Sequence, residues 1–134
     1  MNLAGDEMKV LVVDDSPILR ERLVRMLSEI PSVEAFGQSV DEQRVLDSLP
    51  KLRPEAMIFD AQMSGGRGLA ALGRIRQSGH VPIIFIFTND ANEKYKEKCL
   101  KAGANYFFDK SKELKEMMLK FTELVQQHGE QTLE

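Results

Sequence analysis

The sequence predicts an α/β domain built on one parallel sheet, with helices on both faces. Three observations predict it. Strand-like and helix-like segments alternate five times along the chain. The connections between them are a few residues long, which suits crossovers in a single parallel sheet. Four of the apolar strand segments also end abruptly in polar side chains: Asp14 and Asp15, Asp60, Thr88, and Lys110. Parallel strands put all their carboxyl ends on one edge, and in open sheets of this kind ligands bind there.

Lys9 to Val13 is a short apolar run, read as a strand buried on both faces. Ser16 then suits a helix N-cap, and Pro17 suits the first helical position. Leu19, Leu23, Leu27 and Ile30 follow at helical spacing, and Pro31 stops the helix. Val33 to Gln38 is a second, weaker strand. Ser39 and Glu42 have capping-box spacing ahead of Val45, Leu46 and Leu49. Pro50 and Pro54 are expected to bracket a loop. Ala56 to Phe59 forms the third strand and ends at Asp60. A glycine-rich stretch, Ser64 to Gly68, lacks the lysine ending of a phosphate-cradling loop and reads as a connection. Leu69, Leu72 and Ile75 mark the next helix, which Gly79 is expected to close. Pro82 to Phe87 is the clearest strand and stops at Thr88. Asp90 and Glu93 suit the start of a helix carrying Tyr95, Cys99 and Ala102 on one side, with Gly103 at its end. Tyr106 to Phe108 is the fifth strand. Leu114, Met117, Met118, Phe121, Leu124 and Val125 give the last helix its apolar side, and the polar tail from Gln126 is expected to fray.

The totals bound what such a domain does. A chain of 134 residues with 43% hydrophobic residues fits one compact domain with a real core. Lys and Arg total 18 against 21 Asp and Glu, a net charge of −3 without the basic excess of a general nucleic-acid surface. Cys99 is alone, so no intramolecular disulfide forms. The start lacks an apolar signal-peptide core, and Ile83 to Phe87, the longest apolar run, is too short to span a bilayer. A cytoplasmic protein without nucleic-acid or membrane partners is the expectation. Residues 1–7 read as an extension, 8–127 as the domain and 128–134 as a polar tail, with no output domain.

Asp14, Asp15 and Asp60 should converge with Thr88 and Lys110 in one shallow cleft. Crowded carboxylates repel and tend to stay protonated. A divalent cation with oxygen preference, Mg²⁺, relieves this, because it takes few protein ligands and keeps several waters. Three carboxylates against Mg²⁺ plus Lys110 balance to zero charge. Such a site suits phosphoryl transfer to a carboxylate nucleophile, Asp60, with Thr88 offering a hydroxyl. Each residue also has an ordinary reading. Asp14 and Asp15 would cap a helix, Lys110 would be a surface lysine, and Thr88 a strand end. Cys99, Met117 and Met118 read as packing, and His80 and His128 have no partner to name.

Five pieces of the chain resemble the receiver domain of bacterial response regulators: "VLVVDDSP", "AMIFDAQM", "GRGL", "IIFIFTND" and "GANYFFDKS". They run in the expected order over roughly residues 8 to 127, most like stand-alone regulators. The resemblance implies a flavodoxin-like doubly wound domain, with five parallel strands in order 2-1-3-4-5 and five helices. It implies Asp60 as phosphoacceptor. Mg²⁺ would be held by Asp15 directly, by Asp14 mostly through water, by Asp60, and by the backbone carbonyl of Gln62. Lys110 would pair with phosphoryl oxygens and Thr88 would move toward them. Phe107 falls at the switch-aromatic position, with plain core packing the even alternative. The donor would be a histidine kinase or a histidine phosphotransfer protein. A downstream protein would meet the face formed by the fourth helix, fifth strand and fifth helix, with a homodimer as another output. The domain would not be a conventional enzyme, but would assist its own phosphorylation and dephosphorylation.

Three positions depart from the family pattern. Ser64 stands where proline is usual, Ser111 replaces the proline after the lysine, and Asn89 follows Thr88 where Ala, Gly or Ser is favoured. These departures motivate a rival reading, a receiver-like interaction module that works without phosphate. A Mg²⁺-dependent phosphatase using Asp60 as nucleophile is the third reading; the chain leaves no obvious substrate domain for it.

Overall fold

A computed structural model describes residues 7–38, 41–60 and 68–133, with side chains to residue 128. In chain order its elements are β1 (Met8–Val13), α1 (Pro17–Ser28), β2 (Val33–Gln38), α2 (Glu42–Leu52), β3 (Ala56–Phe59), α3 (Gly68–Gln77), β4 (Ile83–Thr88), α4 (Glu93–Lys101), β5 (Tyr106–Asp109) and α5 (Leu114–Leu133). The strands form one parallel sheet in the order β2-β1-β3-β4-β5, the architecture that the sequence resemblance implies.

Strand alternation sorts the core into two layers. Leu11, Val13, Met57, Phe59, Ile84 and Ile86 face α2, α3 and α4, where they meet Val45, Leu49, Leu72, Ile75 and Cys99. Val10, Val12, Ile58, Phe85 and Phe87 face α1 and α5, where they meet Leu23, Leu27, Met117 and Phe121. Central strands buried on both faces need continuous apolar runs rather than alternating ones, and β1, β3 and β4 supply them. Phe85 anchors the second layer: its ring centroid lies 5.0 Å from that of Tyr106 and 5.8 Å from that of Phe121. No described helix is long and apolar enough to cross a membrane.

Local punctuation follows the sequence at most ends. The Ser16 hydroxyl accepts from the Leu19 N–H, with Pro17 at the first position of α1. Gly103 takes φ +118° at the end of α4, a conformation open to glycine. Five expectations fail. The helix α2 runs through Pro50 to Leu52 where a loop was expected. Proline here removes one backbone donor in the last turn only, while Leu49 is fully buried and Leu52 packs on the core. Arg53 closes α2 in the left-handed region. Asp41 caps the same helix through the N–H groups of Gln43 and Arg44; Ser39 lies outside the described residues. Gly79 does not adopt positive φ, and Ser78 closes α3 instead, its N–H and hydroxyl both donating to the Ile75 carbonyl. Asn92, not Asp90, caps α4 by accepting from Tyr95 N–H at 2.8 Å. The backbone of α5 also remains helical to Leu133, beyond the expected fraying point at Gln126.

Gly73 sits in the interior of α3, and a Cβ there would meet nothing within 4 Å. Gly73→Ala should therefore stabilise the domain by about 0.4–1 kcal/mol, because alanine restricts the unfolded chain without native strain. Chemical denaturation should move the midpoint upward with an unchanged slope.

Candidate functional site

Strand register sets the site. Val13, Phe59, Ile86 and Phe107 stand abreast across β1, β3, β4 and β5. One step further, Asp14 and Asp60 emerge side by side at the carboxyl edge. Thr88 lies two steps beyond Ile86, and its carbonyl accepts from the Lys110 N–H at 2.9 Å. The lysine side chain is thereby turned back over the edge.

Lys110 Nζ lies 2.7 Å from Asp14 Oδ2 and 2.8 Å from Asp60 Oδ2. The three side chains are only 11%, 5% and 14% exposed, so water screens this triad little. Burial alone pulls the Lys110 pKa down. The hydrogen bonds and charges of Asp14 and Asp60 outweigh it and hold the ammonium above the ordinary lysine value. Asp14 is fixed at three points: Oδ1 accepts from Ser16 N–H at 2.9 Å, Oδ2 meets Lys110, and its carbonyl accepts from Arg20 Nη1 at 2.9 Å. Asp15, the next residue, is exposed on the rim.

Thr88 is fully buried, and its Oγ1 accepts from Asp90 N–H at 3.2 Å. That bond leaves the hydroxyl proton for another acceptor. Asp90 lies in the turn after β4, and Asn92 caps α4, which begins at Glu93. Phe107 points to the α4 side of the sheet, edge-on to Tyr95 with centroids 6.0 Å apart. Burial pushes the Tyr95 phenol and the neighbouring Cys99 thiol upward, so both stay neutral and Cys99 is a packing residue. Asp109 turns away from Lys110, as alternation predicts. It accepts from the N–H and hydroxyl of Ser111, which hold its carboxyl below the usual range. His80 contacts the Pro54 carbonyl through Nε2, and with His128 it lines a cleft at the opposite, amino edge of the sheet.

The edge therefore unites Asp14, Asp60 and Lys110, with Thr88 behind them and Asp15 beside them. Gln62 and Ser64 lie outside the described residues. Among the described residues no three acidic, histidine or cysteine side chains converge into a ready cation cage. The donor set nevertheless fits Mg²⁺. It consists of hard carboxylate oxygens without nitrogen or sulfur, and Mg²⁺ is content with one or two protein carboxylates and water. Arg20 was legible in the sequence only as a helix-surface charge. The lock of Asp109 on Ser111 was also missed; its signal was the Asp-x-Ser spacing of a side-chain turn.

A family model described as the response regulator receiver domain matches residues 10–122. A protein-glutamate methylesterase/protein-glutamine glutaminase from Koribacter versatilis is 33% identical over 108 residues, 78% of this chain and 29% of that protein. A homologous enzyme from Anaeromyxobacter dehalogenans is 37% identical over 97 residues, 72% of this chain and 28% of that protein. The chain thus spans less than a third of these relatives. Among solved structures, the response regulator domain of Thermotoga maritima CheB shares the fold with TM-score 0.76 and 22% identity, over 92% of this chain and 97% of that one. A LuxR-family response regulator from Aurantimonas sp. gives TM-score 0.79 and 24% identity, over 89% and 85%.

The raised Lys110 pKa links stability to alkaline pH. The contribution is complete below the unfolded-chain value of 10.5, and is lost as pH rises above it through the higher folded value. Thermal melts in chelator should show the parent above Lys110→Met by a gap that is widest below pH 10.5 and narrows above it. A gap independent of pH would remove Lys110 titration as the cause.

Proposed function

The chain belongs to the response regulator receiver domain family of two-component signalling, and from that premise we propose that it is a phosphorylation switch with Asp60 as the phosphoacceptor. The observation that carries this reading is the one ammonium, Lys110, shared by Asp14 and Asp60 at the carboxyl edge. A carboxylate oxygen of Asp60 attacks the phosphorus of a phosphohistidine on a histidine kinase or phosphotransfer protein. The P–O bond forms as the P–N bond breaks, and the donor imidazole leaves with the bonding pair. Lys110 is already 2.8 Å from the acceptor carboxylate, so it meets the incoming phosphoryl oxygens without a large movement. The residues that would hold Mg²⁺ are Asp14, Asp15 and Asp60 with the Gln62 carbonyl. When bound, the ion supplies positive charge to the phosphoryl oxygens.

Thr88 carries the signal inward. Its hydroxyl proton turns to a phosphoryl oxygen, and the space it leaves admits Phe107 from its place against Tyr95. Leu100 on α4 and Leu119 on α5 are exposed, and the face built from α4, β5 and α5 would change its partner with this rearrangement. The same edge later guides water to the acyl phosphate, so the domain sets its own switching lifetime. This reading places the chain in the cytoplasm, with a separate protein or self-association as output.

Incubation with Mg²⁺ and a panel of phosphohistidine donors should place one base-labile, acid-stable phosphate on the parent and none on Asp60→Asn, read by intact mass. Chelator should abolish the labelling. A folded parent that takes no phosphate from a cognate donor would instead favour the phosphate-independent module. Asn89 is exposed directly after Thr88, and we propose that its side chain narrows access to Asp60. Asn89→Ala should speed phosphorylation by a small acyl-phosphate donor several-fold while leaving transfer from a protein donor less changed.

A further inference from the structure

We infer that Arg20 is a positioning residue of the acidic edge: it fixes the Asp14–Asp15 peptide, and through it the carboxylates that hold the divalent cation. This rests on the receiver reading above. Arg20 lies one turn into α1, where its N–H makes the helix's first backbone bond, to the Ser16 carbonyl. Side chains on a helix lean toward the N-terminus. The guanidinium accordingly reaches back and donates from Nη1 to the Asp14 carbonyl at 2.9 Å. That carbonyl belongs to the peptide joining Asp14 to Asp15. Its plane sets where the Asp14 carboxylate meets Lys110 and where Asp15 stands on the rim.

Two features argue that helix stability is not the reason for an arginine here. The first turn of α1 contains no acidic residue, and a cation near a helix N-terminus opposes the macrodipole. The path of the side chain is also prepared. Gly37 of β2, paired with Val12 of β1, lets the stem pass: a Cβ there would stand 3.1 Å from Arg20 Cγ and 3.4 Å from Cδ. Each element around Asp14 thus contributes one restraint, with Lys110 from the far side of the sheet, Ser16 from the turn and Arg20 from α1.

The sign of the electrostatics makes the idea testable. Removing a positive charge beside a cation site tightens cation binding on charge alone, so weakened binding reports lost positioning. Calorimetric titration of Mg²⁺ into parent, Arg20→Met and Arg20→Lys should show affinity reduced about tenfold in Arg20→Met, the scale typical of groups that orient metal ligands. Arg20→Lys, which keeps a donor on a long stem, should recover most of it. The amide nitrogen of Asp15 shares the peptide with the Asp14 carbonyl, so its NMR shift should move in Arg20→Met and return toward the parent value in Arg20→Lys. Should Arg20→Met fail to fold, that resonance in Arg20→Lys still reads the bond. An Asp15 shift identical to the parent after loss of the guanidinium, or Mg²⁺ affinity unchanged or increased with only thermal stability lowered, would overturn the inference. Absence of Mg²⁺ binding by the parent itself would instead overturn the receiver-site reading on which it stands.

Discussion

Two carboxylates that emerge abreast from adjacent strands share a single ammonium, and the rest of the structure serves that contact. Asp14, Asp60 and Lys110 are drawn almost out of solvent. Desolvating charges costs several kcal/mol per ion, and mutual attraction in the interior often does no more than offset it. A domain built for stability alone would place apolar side chains at these strand ends. Retaining the triad leaves a desolvated carboxylate next to a fixed cation, the arrangement that the proposed phosphoryl transfer to Asp60 would use. The triad reads as functional because it is a poor way to stabilise a fold.

The sheet makes the triad rigid while leaving its surroundings able to move. β1, β3 and β4 are buried on both faces, so the backbone beneath Asp14, Asp60 and Thr88 has no slack. The fifth strand differs. Its side chains are only half-buried, and they divide between the layers: Tyr106 and Phe108 go to the α5 side with Phe85, while Phe107 goes to the α4 side with Tyr95. On the α4 side the packing of β5 rests on a single ring contact, Phe107 against Tyr95. The α5 side is held by the Phe85 cluster and the fully buried Phe121. The Tyr95 phenol lies beside the buried Cys99 thiol, on the same α4 side as Phe107.

Asp14, Asp60, Thr88 and Lys110 were legible in the sequence because apolar runs break there into polar chemistry, and parallel connectivity turns that pattern into proximity. The layers were legible from the same runs. What sequence rules misjudged were places where two local preferences compete. Pro50 signals a break, yet burial of Leu49 and Leu52 carries α2 past it. Asp90 looks like a cap, yet its carboxylate accepts from the Asn92 side-chain amide, and Asn92 caps the helix through its own oxygen. Gly79 looks like a helix stop, but Ser78 already satisfies the carbonyl it would have served. Arg20 was hidden for another reason. Its partner is a main-chain carbonyl six residues back, and no side-chain pattern reports where a backbone oxygen points.

The turn after β5 shows how a departure from the family pattern is absorbed. Proline normally follows the lysine and stiffens this connection; here Ser111 stands in its place, and among the described residues all peptides are trans. Stiffness comes from hydrogen bonds instead. The Asp109 carboxylate accepts from the Ser111 N–H and hydroxyl, and the Asp109 N–H donates to Glu113 Oε1 at 2.9 Å. The Glu113 N–H returns a bond to the Asp109 carbonyl. Lys110 is enclosed by these bonds and held to Thr88 by its own N–H. A ring constraint cannot be relaxed by solvent, whereas a side-chain network can exchange with water on the exposed face. The lysine is thus placed accurately while the turn that carries it remains open to solvent on its outer face.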